Sequence, residues 1–153
     1  MRKKKIWNLV ILLLIIVAVF FMVAQWRTTT YKEVLTDLIS EDEEIRTIDI
    51  TYYNNSDERV WKDMYLDNND EMMKIIEQPA DMKLKKTTER GDTEYFITVR
   101  TTKSAYSISI DNKHNLFIEG HKYNYHIIGD NVLVESIESL GDKWGINKFS
   151  KER

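Results

Sequence analysis

Cysteine occurs nowhere in the 153 residues, and proline occurs once, at Pro79. Without cysteine there is no disulfide, no thiolate metal centre, no cysteine nucleophile and no lipid-modified cysteine. A folded domain must then stand on its own apolar core, which a chain of this length can build. Glycine is also scarce. The five glycines are scattered singly, so neither a Gly-x-Gly-x-x-Gly turn nor a Walker loop can be written, and both motif-based ways of cradling a nucleotide phosphate are missing.

Acidic residues are absent before Glu33, whereas Arg2, Lys3, Lys4 and Lys5 precede an apolar run. Setting those four aside leaves 18 basic against 25 acidic residues, a formal −7 for the remainder. That sign argues against nucleic acid as a partner, which requires a concentrated basic surface. The composition, rich in Lys, Ile, Asn and Asp, suits a low-GC Gram-positive bacterium.

Residues 6–24 read IWNLVILLLIIVAVFFMVA, with Asn8 the only clearly polar member. A helix of that length rises about 30 Å, the thickness of a bilayer's hydrocarbon core. Trp7 and Trp26 stand where the two interfacial aromatic belts fall, and the basic cluster at residues 2–5 orients the N-terminus to the cytoplasm. A cleaved signal peptide would have a shorter apolar region and small residues before the cut, whereas cleavage after Ala24 would set Met22 at −3. The expectation is therefore a cytoplasmic tail (1–5), a transmembrane helix (6–26) and an extracytoplasmic domain (27–153). No GxxxG pattern within the apolar run suggests helix pairing.

In the remainder, Thr30 and Glu33 form a capping box ahead of apolar residues at 31, 34, 35, 38 and 39, which predicts a helix over 31–42. The acidic cluster 41–44 ends it as a solvated edge, and 27–30 serve as a short linker. Alternation over 45–53 predicts a strand, 54–57 a turn, and 58–66 a hairpin partner with Val60 and Met64 or Trp61 and Tyr65 facing in. Residues 68–70 offer N-caps to a helix that stops at Pro79. Beyond it, strands are predicted at 82–88, 93–102, 105–111, 115–119 and 122–128, joined by short turns as an antiparallel meander. A last short helix ends at Gly141, with a loose polar tail after it. The predicted fold class is α+β: a transmembrane helix, then a curved antiparallel sheet of five to seven strands with two or three short helices on one face.

Chemistry-bearing residues are few. His114, His121 and His126 are the candidate metal ligands, with Asp111 or Glu119 as carboxylate partners. Residues five apart on a strand face opposite ways, however, and neither HxH nor HExxH occurs, so no metal and no cofactor is assigned. Ser104, Ser107 and Ser109 lie in no nucleophile motif. Glu94 with Asp111 or Glu119 could pair as acid and base, but 25 acidic residues make such pairs common by chance. No catalytic residue is assigned. Tyr95, Tyr106, Phe117, Tyr123 and Tyr125 fall on neighbouring strands and would form a binding platform if they shared the outer face, or core if they lay under the helices.

The segments NNSDE, EMMKII, MKLKKTT, YSISID and NLFIEGHKYNYHII, in that order behind an anchor, resemble small membrane-anchored exported proteins of Bacillus-type Gram-positive bacteria that carry a domain of unknown function. The resemblance spans roughly residues 45–140 and implies a place at the cell envelope without implying any functional residue. The expected function is a non-enzymatic binding or accessory module, held in the bilayer by 6–26 and meeting an envelope protein or peptide. Two alternatives are a metal-assisted or hydrolytic envelope enzyme built on the turn histidines, and a structural protein that self-associates through its first helix and an open sheet edge.

Overall fold

The computed structural model of the chain describes residues 2–25, 28–53 and 61–147. The first element is α1 (Arg2–Gln25), an unbroken helix about 36 Å long at the standard rise. Its apolar character is spread around the whole circumference rather than gathered on one face. Trp7 and the large apolar side chains in 10–20 are between 42% and 77% exposed. Among the residues whose side chains are described, no helix is long and apolar enough to cross a membrane.

The rest is α+β. Its strands are β1 (Thr28–Thr30), β2 (Ile45–Tyr53), β3 (Trp61–Leu66), β4 (Lys83–Thr87), β5 (Thr93–Thr101), β6 (Ala105–Asp111), β7 (Asn115–Ile118), β8 (Asn124–Ile128) and β9 (Gly145–Asn147). They form one antiparallel sheet in the order β1-β4-β8-β7-β6-β5-β2-β3-β9. Helices α2 (Tyr31–Leu38), α3 (Asn69–Ile76) and α4 (Val132–Glu138) lie on one face of it.

Alternation along each strand divides the sheet into two faces. Met64, Ile50, Ile97, Ile108 and Ile118 sit in register across β3, β2, β5, β6 and β7, all 2% exposed or less. Val34 and Leu35 of α2, Met72 and Ile75 of α3, and Leu133 and Ile137 of α4 close over the same core. Fully burying one such side chain contributes about 1.5–3 kcal/mol. The opposite face carries Asp49, Asp63, Tyr65, Thr98, Arg100 and His126, and none of α2, α3 and α4 covers it. There Tyr65 is 58% exposed.

Local chemistry explains the helix starts. At α2 the Thr30 hydroxyl accepts from the Glu33 N–H at 3.3 Å while the Glu33 carboxylate accepts from the Thr30 N–H at 2.9 Å. Asn68 and Asn131 cap α3 and α4 by their side chains alone, Asn68 accepting from the Asp70 and Glu71 N–H groups and Asn131 from the Val134 N–H. Helix α2 stops at Leu38, four residues before the expected end, because Ile39 turns extended. The acidic cluster then folds back onto the β5–β6 hairpin: Asp42 pairs with Lys103, and the Glu43 carboxylate accepts from the Thr101 and Tyr106 hydroxyls. Three of its four residues stay exposed, so the solvated edge is also a tether.

Three further expectations are corrected. Among the described residues the sheet has nine strands instead of five to seven, because three-residue β1 and β9 are added at its two ends. β1 lies in the supposed linker, held by β-branched threonines against β4, and β9 lies in the supposed loose tail, paired with β3. The third correction concerns Arg90-Gly91-Asp92. It is not a hairpin turn, since β4 pairs with β8 and β5 pairs with β6. Residues 88–92 instead cross the outer face at β6 and β7, where Arg90 lies 4.6 Å above the Phe117 ring. The expected turn at 54–57, Val60 and Trp26 lie outside the described residues.

Candidate functional site

One register row ends in an opening. Across β3, β2 and β5 the side chains of Lys62, Tyr52 and Tyr95 are consecutive partners on the helix-covered face. At this end of the sheet the cover is thin, supplied by Glu138, the last residue of α4, and by Trp144 just before β9. These five residues line a cleft of about 270 Å³. The Tyr52 ring stands 5.0 Å from Tyr95 at 47° and 6.3 Å from Trp144 at 59°. Three tilted aromatic faces thus make a concave floor and wall, a surface suited to apolar or cationic groups.

Charge in the cleft is unusual. The Tyr95 hydroxyl donates to Glu138 Oε1 at 3.4 Å. Burial, followed by the charges of Glu138 and Glu94, raises the pKa of that phenol, so it remains a neutral donor. Glu138 sits at the C-terminal end of α4, where the helix dipole disfavours a carboxylate. Among the described residues the ion pairs are Glu44 with Arg46, Asp49 with Arg100, Asp42 with Lys103, and Glu71 with Lys143. Neither Glu138 nor Lys62 takes part, although both line the same cleft.

A second polar cluster lies under the 88–92 crossover. Asp111 is 5% exposed and its carboxylate accepts from the N–H groups of Gly91, Lys113 (2.9 Å) and Asn115 (2.8 Å) and from Asn115 Nδ2 (2.9 Å). Burial raises its pKa, but these donors outweigh that effect and hold it below the ordinary carboxylate value. Asn115 Oδ1 in turn meets His126 Nδ1 at 3.0 Å. Because an amide oxygen only accepts, Nδ1 is the donor in that contact. The carboxylate is saturated by donors and is unsuited to act as a base.

The predicted site residues do not converge. Tyr95 and Tyr125 are buried on the core face, and half-buried Tyr106 shares that side with its hydroxyl on Glu43. Phe117 alone of the five lies on the outer strand face, under Arg90, while Tyr123 precedes β8 with Lys86 4.6 Å and Lys122 5.3 Å from its ring. The shared platform is therefore corrected: strand parity sends three of these rings inward, and cations already cap the other two. His114 is exposed with φ at 60°, His121 meets the Tyr125 hydroxyl at 3.2 Å, and His126 meets Asn115. Among the described residues no three His, Asp or Glu side chains gather closely enough to hold a metal ion. Ser104 closes the β5–β6 turn through Thr101, while Ser107 and Ser109 face outward from β6. Glu94 lies at an irregularity in β5 and Glu119 is exposed in a turn.

Tyr52, Lys62, Glu138 and Trp144 were not predicted as a site. Their one sequence signal is a tryptophan in a segment otherwise read as a polar tail, since so large an apolar ring is rarely left unused. A second hollow, about 390 Å³, lies between α2 and α3 and is lined chiefly by Leu35, Ile39, Ile45 and Ile76. No protein family, curated protein or solved structure matches the chain.

Proposed function

We propose that this chain is a single-pass membrane protein whose α+β domain is a non-enzymatic binding or accessory module on the outer side of the cell envelope. Residues 6–26 are its anchor, most of them in helix α1, with Arg2, Lys3, Lys4 and Lys5 on the cytoplasmic side. One observation carries the proposal: α1 is apolar on every side, and each of its large described apolar side chains is exposed, from 42% upward. A helix apolar all round is stable in a lipid or protein interior and costly in water. The basic cluster before it supports the orientation, and on this proposal the chain would sit beside the small anchored proteins of Bacillus-type bacteria that it resembles. The aromatic cleft is the part of the domain best suited to receive a ligand or a partner's side chain.

Protease shaving of intact protoplasts, with a C-terminal tag on the full chain, tests the topology. Loss of the tag without lysis is the expected result. A tag that survives until lysis, although the lysed domain is cleavable, would overturn both the orientation and the envelope assignment.

A further inference from the structure

Lys62 and Glu138 are exposed, carry opposite charges in one cleft and form no ion pair with each other or with any other described residue, and Glu138 accepts a long hydrogen bond, 3.4 Å, from the Tyr95 hydroxyl. Here the rings of Tyr52, Tyr95 and Trp144 lie in the cleft with them. We infer that the cleft binds a small zwitterion, with its ammonium against Glu138 and the aromatic faces and its anionic end on Lys62.

Each half of such a ligand finds a chemically matched group. A carboxylate beside π faces favours a cation in two ways, by direct Coulomb attraction and by the ring quadrupoles. Glu138 sits where its own helix dipole repels negative charge, so a bound cation relieves an unfavourable placement. Among the described lining residues the ammonium is that of Lys62, whose flexible stem allows it to follow an anion over a range of positions. A ligand with a positive charge alone would face Lys62 unneutralised, and one with a negative charge alone would face Glu138. The volume of about 270 Å³ corresponds to roughly nine water molecules at liquid density. That admits an amino acid, a betaine or a lipid headgroup.

The inference rests on the domain being a binding module and names the ligand class of that module. It can fail while the module stands. A domain that serves only a protein partner through another surface would pass the topology test and bind none of the compounds below.

The test uses the full chain in phosphatidylglycerol nanodiscs, which contain no zwitterionic headgroup. The probes are glycine, β-alanine, 4-aminobutyrate, 6-aminohexanoate, glycine betaine and phosphoethanolamine, with acetate and propylamine as single-charge controls. The readout is the indole N–H resonance of Trp144, identified by its absence from Trp144→Phe. Saturable shifts with at least one zwitterion, and binding of the controls at least about tenfold weaker, are expected from the loss of one charge-assisted contact. Glu138→Gln and Lys62→Gln should each weaken the zwitterion by a similar factor, and Lys62→Gln should bring propylamine level with it. Discs containing phosphatidylethanolamine separate the two sources: if they suppress binding of the soluble probe, a lipid headgroup is the ligand, and if not, a free solute is. Absence of any saturable shift, or saturation indifferent to both substitutions, would overturn the inference.

Discussion

Asp111 and Glu138 are carboxylates in the same domain, and their surroundings are opposites. Asp111 lies beneath the 88–92 crossover with four donors upon it, and all of its acceptor capacity is committed to holding backbone in place. Glu138 lies at the mouth of the aromatic cleft with a single 3.4 Å contact from Tyr95. The lesson is that burial and charge do not by themselves mark a binding group. A carboxylate whose oxygens are saturated joins two loops; one left short of partners is available to a ligand.

The contrast can be broken most severely at Asp111. Asp111→Asn places an amide nitrogen against N–H donors and should cost roughly 2–4 kcal/mol in chemical denaturation, the scale of losing charged hydrogen bonds in a buried site. It should also change the pH profile. The folded-state pKa of Asp111 is depressed, so its contribution is present above the ordinary value of about 3.9 and is lost as pH falls through the folded pKa. The wild-type denaturation midpoint should therefore drop in that acid range by more than the midpoint of Asp111→Asn does. Equal slopes would show that Asp111 is not the linked group.

A smaller effect is expected at Gly91. A Cβ there would stand 2.6 Å from Asn112 Oδ1 and 2.9 Å from Asp111 Oδ2. Gly91→Ala should therefore push the crossover off the carboxylate and destabilise by about 1–3 kcal/mol, read by the same denaturation. Stability unchanged within error would mean that the crossover yields without loss, and that Asp111 is held by the β6–β7 turn alone.

The smallest effect on stability belongs to the cleft. Glu138→Gln and Lys62→Gln should each shift folding free energy by no more than about 0.5 kcal/mol, as surface substitutions usually do. A loss on the scale of Asp111→Asn would erase the contrast and make Glu138 structural as well.

Elements that rest on local periodicity were legible before the fold was known. The strand Ile45–Tyr53 alternates β-branched and polar residues over its whole length, and the Thr30–Glu33 box announces the start of α2. Elements that rest on a distant partner were not. β1 and β9 have three residues each, too few to show a period, and exist because β4 and β3 offer them free edges. Gly91 carries an ordinary turn signal, and nothing beside it says that residues 88–92 cross over β6 and β7 instead of reversing between neighbours.

By itself, then, the sequence determined an apolar helix flanked by basic residues, an α+β class, the helix caps and which residues of most strands face the core. These follow from composition and from periods of two and 3.6, which act over a few residues. Only the tertiary structure decided the strand order. It also decided the meeting of Tyr52, Lys62 and Tyr95 from three strands with Glu138 and Trp144 from near the far end of the chain. Sheet register sets that meeting, and register is a property of paired strands that no single segment carries.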